Sequence, residues 1–366
     1  MADKIRVGIV GATVTQGGSG WGAKAHVPAI EILPDYELKA VCTTREETAQ
    51  ASKEKFGAEL AFTDINQMAA HPEVDLVAVC VRAPGHYDLV MAGLNAKKPV
   101  FCEWPLGANL KEAQEMNDLA KKNSLSTIVG LQARSDPTLM YARDLVAQGY
   151  IGNVLAANMT AVSQADVERG PGRIYQGDRK NGANTMTISG GHSIDALCYV
   201  LGEFSEVSAR VNTLIKEWKH ADTGEMMKVD SPDCVSVAGV LKNGAEVSYQ
   251  VVAVPHNPSG NRFEIYGSQG TLVINGSANI APGLNVLHGS KGKDPLVEMA
   301  PPDEYKLAPE GTPQGPPRNV TQAYVRYADS LLKGEVLAPD FSDAVVRHRL
   351  LDAIERSAAE GKSIKL

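Results

Sequence analysis

The chain of 366 residues lacks several features that would declare a function outright. Its five cysteines (Cys42, Cys80, Cys102, Cys198 and Cys234) are odd in number and form no CxxC pair, so they read as reduced core residues rather than a disulfide framework or thiolate zinc site. HExxH, GxSxG and GxxxxGK[ST] are all absent, which removes the commonest zinc-hydrolase, serine-hydrolase and P-loop readings, and no metal site is expected. Positive charge is in deficit: 36 Lys and Arg against 43 Asp and Glu give a net charge of −7 and no basic field for nucleic acid or anionic lipid. No uninterrupted apolar run reaches the roughly 18 residues of a membrane span, and MADKIRVGIVGA opens on a strand rather than on an apolar signal core. The expectation is a cytoplasmic protein without nucleic-acid or membrane partners, long enough for two domains.

What is present is an alternation. IRVGIV, ELKAVCT, DLVAVCV, VFCEW and STIVGL have the length and β-branched content of buried parallel strands, and amphipathic segments such as NLKEAQEMNDLAKKN lie between them. This cadence predicts an α/β fold with a doubly wound parallel sheet over residues 1–132. From 133 to 366 the character changes. After the helix pattern PTLMYARDLVAQG, segments such as DCVSVAGVLKNGAEVSYQVVAV alternate apolar with polar residues about an Asn243-Gly244 hairpin signal. This half predicts an α+β domain with a large, open, mostly antiparallel sheet. The run from Gly289 to Pro317, rich in Pro, Gly and charge, reads as a long functional, interfacial or mobile loop. Helices over 318–332 and 342–360 close the chain and are expected to pack back on the first domain.

Glycines directly after the first strand and before a helix let a pyrophosphate approach backbone N–H groups, and VGIVGATVTQGGSGWGAKAH supplies them through Gly11, Gly20 and Gly22, with Ala12, Thr13 and Trp21 alongside. At the end of the second strand, where an acidic residue would hold a free ribose, stand Thr43, Thr44 and Arg45, which suit a 2′-phosphate and mildly favour NADP over NAD. VRAPGH (Val81, Ala83, Pro84, His86), EWPLG (Glu103, Trp104) and Gln132 follow later strands and point to the same crevice. In the second half, His192 and Asp195 open one helix three residues apart; an imidazole titrating near neutrality can exchange a proton with a hydroxyl during hydride transfer. Arg134, Arg173, Arg179 and Lys180 offer a cationic rim for a carboxylate or a hydroxyl-rich substrate, or are solvated charges.

In the order GWGAKAHVPAI, VRAPGH, EWPLG, GLQARSDP, GYIGNV and GGHSIDALCYVLG the chain resembles the Gfo/Idh/MocA oxidoreductase family across nearly its whole length, and EWPLGANLKEA, TIVGLQARSDP, ARDLVAQGYIG and GHSIDAL bring it nearest to the branch containing the yeast galactose-regulon repressor. The resemblance implies an NAD(P)-dependent oxidoreductase of sugars or polyols, a dimer or tetramer formed through the second domain's sheet, Glu103 in the family's EKP motif and His192 as acid/base. Two positions depart from the family: its EKP lysine is Trp104, and the aspartate four residues before the histidine is Ile188. Neither side chain titrates, so support for His192 would fall to Asp195, Lys180 or Tyr175, with Trp104 and Arg134 shaping the substrate pocket. Two alternatives follow from the same resemblance: a non-catalytic dinucleotide-binding regulator acting by protein contact, and an NAD-dependent glycosidase.

Overall fold

The computed structural model describes residues 4–14, 20–276, 279–281 and 284–366; residues 15–19, part of the glycine-rich loop, lie outside these. In the first half, β1 (Ile5–Val10), α1 (Val27–Ile32), β2 (Tyr36–Cys42), α2 (Glu46–Phe56), β3 (Leu60–Phe62) and α3 (Ile65–Ala70) alternate. β4 (Leu76–Val79), α4 (His86–Asn95), β5 (Val100–Glu103), α5 (Leu110–Lys122) and β6 (Thr127–Gly130) continue the pattern. The six strands pair in parallel in the order β3-β2-β1-β4-β5-β6. β4 and β5 are buried at every residue, which is why they read as continuous apolar runs. Local signals set the helix ends: the Asn109 side chain accepts the Glu112 N–H to open α5, and Gly57, at φ 66°, stops α2. β3 and α3 were not anticipated, because three and six residues are too few for a period to show.

The second half starts with α6 (Pro137–Ala147), β7 (Val154–Gln164), β8 (Glu168–Arg169), α7 (Gly191–Leu201) and β9 (Phe204–Asn212). β10 (Glu217–His220), β11 (Met226–Lys228), β12 (Cys234–Leu241), β13 (Glu246–Val254), β14 (Gly260–Gly267) and β15 (Gly270–Gly276) follow. β16 (Val286–Lys291), β17 (Val297–Glu298), α8 (Pro316–Lys333), α9 (Phe341–Glu360) and β18 (Ile364–Lys365) end the chain. Nine strands form one sheet, β17-β16-β15-β14-β7-β13-β12-β9-β18, antiparallel except for the β7–β13 pair. Along β13, Val247, Tyr249 and Val251 are buried beneath helices, whereas Glu246, Ser248 and Gln250 are exposed on the other face. The Asn243-Gly244 hairpin joins β12 to β13, with Gly244 at φ 87°.

A second sheet, β11-β10-β8, was not foreseen, since its strands are two to four residues long. The expected long loop is shorter than its composition suggested. β16 extends to Lys291, and beyond β17 the Tyr305 hydroxyl donates to Asp144 at 2.9 Å while the Leu307 N–H donates to Gln322 at 2.6 Å. The Tyr324 hydroxyl of α8 lies 2.9 Å from His26 Nδ1, and the Phe341 N–H of α9 donates to Thr127 of β6.

Candidate active site

Reversal of strand order between β1 and β4 opens a crevice beyond their carboxyl ends, the place where open α/β sheets bind ligands. Gly11 turns the chain there at φ 98°, and a Cβ at this position would lie 2.6 Å from the Cys80 carbonyl oxygen. Gly22 is equally constrained, since its Cβ would come within 2.9 Å of the Ala12 N. The loop thus presses backbone against the end of β4, leaving a cradle that only glycine allows.

Two connected recesses follow the crevice. Gly11, Thr13, Thr43, Thr44 and Arg45 line the outer one, together with Asp64. Thr43 and Thr48 share a 2.7 Å hydroxyl contact, and Thr48 donates to the Arg45 carbonyl at 2.9 Å, which fixes the turn that presents the exposed Arg45. Val81 and Arg82 line both recesses. The inner recess, about 360 Å³, has Trp21, Ala83, His86, Glu103, Trp104 and Gln132 on the first-domain side. The second domain contributes Arg169, Arg173, Tyr175, Asn184, Ile188 and His192.

His192, near the start of α7 and 7 % exposed, has no hydrogen-bond partner for Nδ1 among the described residues. Burial pushes its pKa down to about 4, against the pull of Glu103 and Asp195, so the ring is uncharged at neutral pH. Glu103 accepts from Gln132 Nε2 at 2.6 Å and lies 2.7 Å from His26 Nε2, so both oxygens are engaged. His86 is a brace: Nδ1 is 2.8 Å from the Pro105 carbonyl and Nε2 is 3.1 Å from that of Val81, tying the turns after β5 and β4 together. Trp104 donates from Nε1 to the Thr187 carbonyl at 2.8 Å, and its ring packs 4.8 Å from that of His348.

Several expected site residues are placed elsewhere. Asp195 does not hydrogen-bond His192; it is fully buried, and its oxygens receive Arg134 at 2.8 and 3.0 Å and Arg347 at 3.0 Å. Arg134 is therefore no substrate rim, since its remaining nitrogen bonds Asp343 at 2.7 Å. Lys180 is exposed on a turn outside the recess walls, and Arg179 pairs with Glu355. Tyr175 does line the inner recess, beneath the Arg82 guanidinium at 5.3 Å. Ala12 is buried core, and Pro84 is exposed in the turn before α4. Arg82 and Arg169 were missed: the first sits inside a motif whose other members drew attention, the second ends a two-residue strand too short to show a period.

Two of the buried histidines, His192 and His348, make stability strongly pH-dependent. Burial holds His192 at about 4 and His348, with Nε2 unpartnered among the described residues, at about 3. Both native values lie below the unfolded value near 6.5, so the unfolded state binds the extra protons: stability is complete above pH 6.5 and falls as pH drops toward 4. The urea midpoint should report a loss of about 2 kcal/mol between pH 7 and 5.5, and His348→Leu should halve it.

Among the described residues no group of three His, Cys, Asp or Glu is placed to hold a metal, and no helix is long and apolar enough to cross a membrane. Residues 5–131 match the family model "Oxidoreductase family, NAD-binding Rossmann fold", and residues 137–276 match "Gal80p, C-terminal domain". The chain is 28% identical over 374 residues to dehydrogenase aclE of Aspergillus oryzae, across 99% of this chain and 98% of that protein. It is 28% identical over 298 residues to myo-inositol 2-dehydrogenase of Thermotoga maritima, across 79% and 80%. A crystal structure of a super-repressor mutant of Gal80p from Saccharomyces cerevisiae superimposes with a TM-score of 0.86 at 25% identity, covering 99% of this chain and 98% of that one.

Proposed function

Because the chain belongs to the Gfo/Idh/MocA oxidoreductase family, near Gal80p, we propose that it moves hydride between a nicotinamide dinucleotide and a sugar or polyol, with His192 as acid/base. One observation carries this reading: His192, uncharged and with Nδ1 free of protein partners among the described residues, shares the inner recess with the ends of β4 and β5. The glycine loop fits a dinucleotide, since at Gly11 the backbone lies so close against the end of β4 that a Cβ would meet the Cys80 carbonyl. Backbone around Gly11 and Gly22 would hold the pyrophosphate, and Thr43, Thr44 and Arg45 the adenosine ribose, where the guanidinium favours a 2′-phosphate. When bound, the nicotinamide accepts or returns the hydride.

His192 does the proton chemistry. In alcohol oxidation its neutral ring accepts the hydroxyl proton as the C–H electron pair departs, and Glu103 and Asp195 favour the imidazolium that forms. In reduction the same ring returns the proton to the carbonyl oxygen. Arg134 and Arg347 keep Asp195 ionised, so its negative charge acts on His192 through space rather than by a hydrogen bond. Trp104 and Ile188 supply no proton; they exclude water and wall the recess. The outward face of the nine-stranded sheet, with small polar residues such as Asn158, Thr160, Ser236 and Ser248, is the surface we assign to a second copy of the chain.

Reduced-nicotinamide absorbance during incubation with NAD or NADP and a panel of sugars and polyols tests the reading. Turnover with at least one compound is expected, together with tighter binding of NADP than of NAD. Gly11→Ala should weaken dinucleotide binding at least about 10-fold, because the added methyl meets backbone in a left-handed conformation. A second reading, a dinucleotide-binding regulator, is favoured by the loss of both relay groups at Trp104 and Ile188; binding without turnover of any compound would select it. A glycosidase would instead release free sugar without net cofactor change.

A further inference from the structure

We propose that the substrate is anionic, a sugar carboxylate whose charged end is held by Arg169 and Arg173 while its reacting hydroxyl meets His192; this rests on the oxidoreductase reading above.

Arg169 ends β8 and is only 9 % exposed, yet its guanidinium has no hydrogen bond or ion pair among the described residues, and the buried Nε is unpartnered. Arg134 and Arg347, similarly sequestered, are each clasped by carboxylates. What Arg169 does have is a support. Its guanidinium carbon lies 4.4 Å from the centre of the Trp218 ring, and Trp218 is itself buried against Gly177, where a Cβ would come within 3.2 Å of the indole. The unforeseen small sheet sets this pair, because β8 lies beside β10, which carries Trp218. A planar fork held over an aromatic face, with its donors unused among the described residues, is preorganised for a bidentate oxyanion.

The surroundings agree. Arg173 and Arg82 also line the inner recess and have no ion-pair partner among the described residues. The one acid on those walls among the described residues, Glu103, is already engaged by His26 and Gln132. Asp166 pulls on Arg169 through space but forms no ion pair with it, while burial and Arg173 depress its pKa. A wall of cations within a protein of net charge −7 is a local exception to the overall field. Arg82 faces both recesses and so serves the dinucleotide side; Arg169 and Arg173 line only the recess that holds His192. That division assigns the pair to the substrate. A neutral polyol would leave the buried cation uncompensated, whereas a carboxylate completes it.

Calorimetry on the full chain saturated with NADH, titrated with gluconate and glucuronate against glucose and myo-inositol, tests this. The carboxylates should bind at least about 30-fold more tightly than the neutral compounds, and Arg169→Leu should cut that ratio to about 3 or less. Arg173→Gln alters an exposed side chain and keeps the test open if Arg169→Leu fails to fold; it should lower the ratio at least about 5-fold. Equal affinity for acids and neutral compounds overturns the proposal, and so does a parallel loss of NADH affinity in either variant, which would give the cations to the cofactor's phosphates. Carboxylate binding without turnover of any compound would sink the oxidoreductase reading and leave the anion site standing; turnover of neutral polyols without preference for the acid would do the reverse.

Discussion

Asp195→Asn should destabilise the protein by about 3 to 5 kcal/mol, read as a lower urea midpoint with an unchanged slope. The substitution preserves shape and removes one charge, but that charge is shared. Asp195 has no exposure and accepts from both Arg134 and Arg347, and Arg347 is itself fully buried. Glu203 and Asp343 hold the far nitrogens of the two arginines, so removing Asp195 leaves two cations facing each other with partners on their outer sides only. The asparagine amide keeps one acceptor oxygen, turns an N–H donor toward a guanidinium in place of the other, and brings no countercharge. If Asp195 instead oriented His192 directly, the variant would keep its stability and lose turnover. A stable but slow Asp195→Asn would refute the structural assignment.

His192→Ala should lower turnover by about 100- to 10,000-fold while leaving dinucleotide affinity within about threefold. Its stability should not fall in proportion, because the ring's Nδ1 makes no hydrogen bond among the described residues. The wild-type oxidation rate should stay flat from pH 8 down to pH 5, since a group titrating near 4 is already deprotonated throughout that span. An inflection near pH 6.5 would mean that the ring is solvated or differently paired. If His192→Ala retained full turnover, the acid/base role would be lost.

Much of the architecture is legible in the sequence because its signals are local. Strands covered on both faces must be apolar throughout, β13 must alternate because one face is open, and Asn243-Gly244 must turn. Short elements leave no such trace, hence the silence over β3, α3 and the β11-β10-β8 sheet. The site divides in the same way. Gly11, Thr43, Arg45 and His192 sit beside strand ends or helix starts that the pattern locates. Asp195 misled because a spacing of three on a helix sets a shared face but not a shared bond: α7 is buried almost all round, and Arg134 and Arg347, from elsewhere in the chain, take the carboxylate. Arg169 was invisible because its meaning comes from Trp218, far along the chain and with no periodicity joining them.

His26, buried beneath Phe101 and bonded to Glu103, takes its other contact from Tyr324, 298 positions downstream, and Tyr36 donates to the same tyrosine's carbonyl. A nascent chain that has left the ribosome only through β6 therefore has its parallel strands but not the aromatic plug that seals them. The first half therefore waits for α8, made long after β6, before this plug can close over His26 and Tyr36.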